Sequence, residues 1–234
     1  MNILVSGGAG FVGNSLIKEL LKDGHKVTSF DRTKYSGIRE NVNEVYGDIT
    51  DSYAVDCYVK ENDYIFNIAG MLGTQETIDN PIPAIQTNLI GAINIFNSLR
   101  RYNKKGTQIS VGNHWMNNPY SITKSCSERF ALMYNKEHST KITIIRGLNI
   151  YGAGQKPFPV KKVVPNFVLS AINKKDLTVY GSGESQMDMI YVDDAARILK
   201  ATINNEVCFD KVIDMGTGIA PTVNEIAKTV ISKS

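Results

Sequence analysis

Tyr120 and Lys124 stand four residues apart in the run Tyr120-Ser121-Ile122-Thr123-Lys124, a spacing that places both on one face of a helix. A phenol with an ordinary pKa of about 10 is a poor base at neutral pH, and an adjacent ammonium lowers that pKa by stabilising the phenolate. The pair therefore suits acid–base work at a hydroxyl or carbonyl oxygen, with Tyr120 exchanging the proton and Lys124 tuning it. Ser110, ten residues earlier, is a candidate for the hydroxyl that hydrogen-bonds the reacting oxygen. A strand serine packed into a sheet is a near-equal reading, and Asn113, His114 and Thr74 are alternatives. His114 has no partner in view and reads more simply as a solvated loop residue.

A tyrosine and a lysine at this spacing occur by chance in many helices, so the pair draws its weight from what lies upstream. The run Gly7-Gly8-Ala9-Gly10-Phe11-Val12-Gly13 follows the apolar stretch Ile3-Leu4-Val5 and leads into Leu16, Ile17, Leu20 and Leu21 at helical spacing, which Gly24 stops. Gly7 permits a tight turn, Gly10 a close approach of backbone N–H groups to a pyrophosphate, and Gly13 close packing of helix on strand. Asp31, at the end of a second apolar run, can accept from adenosine ribose hydroxyls, which favours NAD over NADP. Arg32 and Lys34 nearby could accommodate a 2′-phosphate and soften that preference. Asp48 has two readings, meeting the adenine or opening a turn.

The elements that must hold these residues alternate. Strand-like runs at Ile3 to Val5, Lys26 to Phe30, Tyr64 to Ile68, Thr107 to Val111 and Ile142 to Ile145 are separated by helical patterns, including Ile82 to Leu99 and Ser121 to Tyr134. The expected fold class is α/β: a Rossmann-like, doubly wound parallel sheet with a small C-terminal substrate-binding region. Residues 1–150 are expected to form the dinucleotide-binding domain, with 188–204 packing back on it. Residues 151–187, rich in Gly and Pro, and 205–234 are expected to form a small, shortened region covering the substrate.

Composition narrows the function classes. With 42% apolar and 21% charged residues, the 234-residue chain can bury a core of its own, and folding is expected throughout. A net charge of +3, without a basic stripe, argues against nucleic acid as a partner. No apolar window reaches the roughly 18 residues of a membrane helix. Cys57, Cys126 and Cys208 are too far apart for a metal or redox motif, so no metal is expected; buried thiols in a cytoplasmic protein are the simple reading.

With these motifs in place, the chain resembles the extended short-chain dehydrogenase/reductases, and within them the NAD-dependent nucleotide-sugar epimerase/dehydratase family. The likeness runs through the glycine turn, Asp31, Asp48-Ile49, Asn67-Ile68-Ala69-Gly70, Asn88 in Asn-Leu-Ile-Gly, the Tyr120–Lys124 motif and Arg146-Gly147-Leu148-Asn149-Ile150-Tyr151-Gly152. It continues in Val179 to Leu199 and in Asp214-Met215-Gly216-Thr217-Gly218. The resemblance implies cofactor contacts from Gly7, Gly10, Phe11, Val12, Gly13, Asp31, Arg32, Asp48, Ile49, Ile68, Ala69, Gly70, Asn88, Tyr120, Lys124 and Leu148. It implies substrate contacts from Asn149, Val164, Gln186 and Met187, a nucleotide-sugar substrate and a homodimer.

Three departures qualify it. Met187 stands where the family usually has a phosphate-binding Arg, for which Lys161 or Lys162 would have to substitute. The chain stops soon after the late glycine turn, so an incomplete lid is expected. The triplet Ser110-Val111-Gly112 keeps a hydroxyl but lacks the acid–base pair that eliminates water in the short-loop dehydratases. The expected activity is therefore nucleotide-sugar epimerisation, with 4,6-dehydration or ketone reduction as the nearest alternative and a non-catalytic NAD-binding sensor or scaffold as a second.

Overall fold

A computed structural model describes residues 1–234. The central strand β1 (Asn2–Ser6) explains why its sequence is a continuous apolar run: Ile3 and Val5 join one buried cluster and Leu4 another, so both faces are covered. Around it lie β2 (Lys26–Asp31), β3 (Val42–Tyr46), β4 (Tyr64–Asn67), β5 (Lys105–Val111), β6 (Lys141–Gly147) and β9 (Val212–Met215), in the order β3-β2-β1-β4-β5-β6-β9. Every pairing is parallel. The chain winds outward in opposite directions from β1 and β4, which leaves a crevice at their carboxyl ends.

Helices cover both faces. The helix α1 (Phe11–Lys22) seats Leu16, Ile17 and Leu20 with Ala195, Ala196 and Leu199 of α7 (Val192–Lys200). Each fully buried leucine or isoleucine contributes about 1.5–3 kcal/mol. Gly24, at φ +72°, ends α1 as its own N–H and that of His25 turn back to Leu21 and Leu20. On the opposite face, α2 (Ser52–Glu61), α4 (Gly91–Arg101) and α5 (Pro119–His138) pack Val55, Ile95, Phe96, Leu99, Ala131 and Tyr134 over Leu4 and Phe30. No helix is long and apolar enough to cross a membrane.

Buried polar side chains below the crevice satisfy one another. Ser6 donates to Asn67 at 2.6 Å, Asn67 donates to Gln108 at 2.6 Å, and Gln108 donates to the Ile109 carbonyl at 2.7 Å. This chain links β1, β4 and β5 side to side where an unpaired amide would cost about 1–3 kcal/mol.

Several elements differ from the sequence reading. The single helix expected over Ile82 to Leu99 is one turn, α3 (Ile82–Ala84), followed by a π-helical stretch (Ile85–Ile90) and α4. The Gly- and Pro-rich segment after Arg146 holds β7 (Asn149–Tyr151) and leads into α6 (Val163–Ile172), with Pro165 in the first turn, where a missing N–H costs nothing. A short strand, β8 (Met189–Tyr191), pairs with β7 in a separate two-stranded sheet. The segment 205–234, expected to lie wholly in the smaller region, lends β9 to the main sheet before ending in α8 (Val223–Lys233), which carries a Thr222–Glu225 capping box. Phe167, Ile226 and Ala227 form a small core of their own between α6 and α8. The three cysteines are free and half-buried rather than fully buried.

Candidate active site

The crevice is a cleft of about 580 Å³ that runs from the glycine turn, past the ends of β4 and β5, to α6. At one end, Gly10 donates to the Gly7 carbonyl at 3.1 Å to close the turn. A Cβ on Gly13 would lie 2.2 Å from the Gly7 carbonyl oxygen, and one on Gly7, at φ +75°, would lie 2.7 Å from the Ala69 nitrogen. Only glycine lets these three segments meet. Gly10 caps α1 without a side chain, and the N–H groups of Phe11, Val12 and Gly13 are left without protein acceptors, aimed as a helix N-terminus that suits a pyrophosphate.

Asp31 sits at the end of β2, where its carboxylate accepts from Ala9 N–H at 3.1 Å and Thr33 N–H at 2.8 Å. It is thus held beside the turn with lone pairs to spare for a ribose. Asp48 lines the same end and also accepts from Thr50 N–H at 2.9 Å, so it opens a turn while facing the cleft. Arg32, Ile49, Ile68, Ala69, Gly70 and Leu148 complete the wall. These residues fit a dinucleotide in shape and charge.

Asn88 is the exception among the expected cofactor contacts. It is buried behind the wall, accepting from Met71 N–H at 2.7 Å and donating to the Met71 carbonyl and to Thr123. Its position in the π-helical stretch lets one side chain tie the segment after β4 to α5, and a Cβ on Gly70 would touch both Asn88 and Lys124. The structure gives it a positioning place rather than a contact surface.

Tyr120 and Lys124 meet the cleft because Asn118 caps α5 by accepting from Ser121 N–H at 3.0 Å and Pro119 opens the first turn. Tyr120 keeps part of its surface exposed, but its phenol group lies deep, and burial pushes its pKa up to about 12. Lys124 is 3% exposed, and burial pulls its pKa down to about 8. Its ammonium donates to the Ile109 carbonyl at 3.0 Å and the Ala69 carbonyl at 3.5 Å. The expected lowering of the phenol by the ammonium is therefore outweighed by burial: desolvation disfavours the charged form of each group.

Ser110 lines the cleft, 4% exposed, with its hydroxyl donating to the Lys124 carbonyl at 3.4 Å. Asn113 and Thr74 line it too, whereas His114 turns to the Gly112 carbonyl and stacks edge-on against Trp115.

At the far end, Asn149, Val164 and Met187 line the cleft with Lys156, Lys161 and Lys162. Asn149 donates to the Asp188 carbonyl at 3.0 Å. Met187 also packs on the Phe167–Ile226 core, a seat a guanidinium would leave only with its chain stretched along apolar surface. Gln186 is exposed and bridges to Thr222, outside the lining of the cleft. Strand alternation accounts for this, since neighbouring residues point to opposite faces. Asp188, which spacing alone did not single out, accepts from Thr217 N–H at 2.7 Å, Thr217 hydroxyl at 2.9 Å and Gly218 N–H at 2.8 Å, and clamps the far end to the turn after β9. The signal was present in Asp214 to Gly218, but not its partner.

Comparison with known proteins agrees with this geometry. The chain is 30% identical, over 97% of its length and 78% of the relative's, to a UDP-N-acetyl-alpha-D-glucosaminuronate decarboxylase of Bacillus cytotoxicus. It is 26% identical, over 96% of its length and 79% of the relative's, to a putative UDP-glucose 4-epimerase of Methanocaldococcus jannaschii. The crystal structure of UDP-glucose 4-epimerase from Thermotoga maritima with UDP-glucose superposes with a TM-score of 0.89, covering 99% of this chain and 82% of that one at 27% identity. WbmF of Bordetella bronchiseptica, solved with NAD+ and UDP, gives 0.91 over 99% of this chain and 76% of that one at 25% identity. Residues 3–214 match the NAD dependent epimerase/dehydratase family. With NAD as its cofactor, the chain belongs to the NAD-dependent epimerase/dehydratase family.

Proposed function

We propose that the protein is an NAD-dependent nucleotide-sugar epimerase in which Tyr120 takes and returns a proton at a sugar hydroxyl. The observation that carries this reading is the composition of the cleft beyond the glycine turn. Tyr120, Lys124 and Ser110 line it together, while its only carboxylates, Asp31 and Asp48, belong to the nucleotide end. Removing water from a sugar calls for an acid and a base beside the reacting carbons, and no carboxylate lines the sugar end: Asp188 is turned to Thr217 and Gly218, and Glu76 lies outside the lining. Reversible oxidation of one carbon needs only the phenol and its neighbours.

When bound, NAD supplies a hydride acceptor and, in its oxidised form, a positive ring that favours the phenolate. Lys124 donates to the Ile109 carbonyl at 3.0 Å, which anchors its ammonium to the sheet at the wall it shares with Tyr120. Ser110, whose one O–H donates to the Lys124 carbonyl at 3.4 Å, would turn it to the reacting oxygen when substrate binds. The helix N-terminus of α6 and the lysines 161 and 162 support binding of the substrate diphosphate in place of the family's Arg. Burial lowers the pKa of Lys162, with Glu76 opposing the shift, which is the state of a cation that gains by meeting an anion. Residues 151–187 and the turn after β9 form the substrate-covering region in this reading. Ile122, Phe130 and Met133 remain partly exposed on one face of α5 and support a homodimer paired through helices.

The test is to incubate the purified protein with NAD and uridine, thymidine and guanosine diphosphate sugars, with products followed by mass spectrometry and NMR. A product of unchanged mass with one inverted centre is expected. Loss of water or of carbon dioxide would instead assign a dehydratase or decarboxylase, and NAD binding without turnover of any sugar would favour a sensor.

A further inference from the structure

We infer that Arg39 is a positioning residue for NAD: from outside the cleft it fixes the Gly8–Ala9 peptide and, through that peptide, the Asp31 carboxylate. The inference rests on the cofactor site described above. Arg39 lies in the connection 32–41 between β2 and β3, which has no regular element and is largely exposed. Its side chain is nevertheless only 6% exposed.

All five N–H donors of the guanidinium are spent. Nε and Nη2 donate to the two oxygens of Glu44 on β3 at 2.6 and 2.7 Å, and Nη2 also donates to the Ser29 hydroxyl on β2 at 2.9 Å. Nη1 donates to the Gly8 carbonyl at 2.8 Å and to the Asn14 side chain on α1 at 3.3 Å. The ring of Tyr35 closes over the guanidinium at 4.0 Å. A planar fork can serve β2, β3, the glycine turn and α1 at once; an ammonium with three donors cannot.

The bond to Gly8 carries the functional consequence. The same peptide unit presents its N–H, that of Ala9, to Asp31 at 3.1 Å. One peptide plane is thus held at its oxygen by Arg39 and at its hydrogen by the carboxylate that faces the ribose. A charged donor on the carbonyl polarises the amide and strengthens the opposite bond. The surroundings of Gly8 are tight: a Cβ there would lie 2.5 Å from the Ser29 hydroxyl oxygen. Removing the fork releases the turn's orientation and the carboxylate's together, while the sugar end, on the other side of β4, is untouched.

The experiment is calorimetric titration of NAD into wild type, Arg39→Lys and Arg39→Met, with thermal melts and exchange of the Ala9 amide read by NMR. The expected result is an NAD Kd raised at least about tenfold in Arg39→Lys, faster Ala9 exchange, and an unchanged KM for the sugar substrate at saturating NAD. Arg39→Met should weaken NAD further; if it fails to fold, Arg39→Lys decides. An Arg39→Lys Kd within twofold of wild type, with only the melting temperature lowered, would reduce Arg39 to a brace for residues 32–41 and overturn the inference. Failure of wild type itself to bind NAD would instead overturn the cofactor site on which both readings stand.

Discussion

At the nucleotide end of the cleft, contacts return to the main sheet: Gly7 against Ala69, Asp31 to Ala9, Arg39 to β2, β3 and α1. At the sugar end, Asn149, Met187 and the lysines sit on short strands and a helix outside that sheet, held by a three-residue core and by the Asp188 clamp. The first end has many braces and little room for a different side chain. The second has fewer braces, and Met187 sits there against the small core. A cofactor of constant shape and a substrate that varies among relatives would favour this division, because a stiff turn can be shared while a loosely supported wall is rebuilt.

Tyr120→Phe, at the junction of the two ends, should lower kcat by about 10²–10⁴ and leave NAD affinity within about twofold, by steady-state kinetics and NAD titration. Unchanged turnover would remove Tyr120 from the chemistry. Gly13→Ala strikes the stiff end: a Cβ 2.2 Å from a backbone oxygen has no side chain to push aside. We expect NAD affinity to fall by about 100-fold, with stability reduced by about 1–3 kcal/mol. If affinity holds, the turn is less rigid than its contacts imply.

Lys162→Met strikes the loose end and should raise the sugar-nucleotide KM by about tenfold or more while leaving the NAD Kd alone, as expected for one charged hydrogen bond to a diphosphate. Equal losses for both ligands would break the distinction between the ends. The last test concerns Lys124 and reads stability rather than affinity. Its folded pKa, about 8, lies below its unfolded value of 10.5, so the folded state sheds a proton that the unfolded state keeps. Between those values stability rises with pH. Wild type should therefore gain about 2 kcal/mol over Lys124→Met as pH goes from about 7.5 to about 9.5, read by urea denaturation. A flat difference would mean that Lys124 is solvated.

Much of the stiff end was legible in the sequence because backbone geometry dictates residue type there. A turn that brings Gly13 to the Gly7 carbonyl admits nothing larger, and its glycines announce themselves. The Tyr120–Lys124 pair was legible for a similar local reason, one helical turn between two side chains. Arg39 was not, since nothing in a loop arginine's neighbours tells that Glu44, Ser29, Gly8 and Asn14 will converge on it. Asn88 and Gln186 carried the motif yet lie outside the cleft lining, because which face of a π-helical stretch or a short bridge meets the cleft depends on packing elsewhere. The helix α6 was hidden by Pro165, which is a breaker inside a helix and harmless in its first turn.

By itself, then, the sequence determined the parallel α/β sheet, the glycine turn and the helix that carries Tyr120 and Lys124 on one face, all of which follow from periodicity and from steric limits on single residues. Tertiary structure decided the balance of charge in the cleft. Burial raises Tyr120 and lowers Lys124, where spacing alone implied that the ammonium would lower the phenol. It also decided which polar groups brace the turn from behind and which lysines line the far end of the cleft. The physical reason is common to all three: desolvation and multi-point hydrogen bonding are properties of what surrounds a side chain, and those surroundings come from residues distant along the chain.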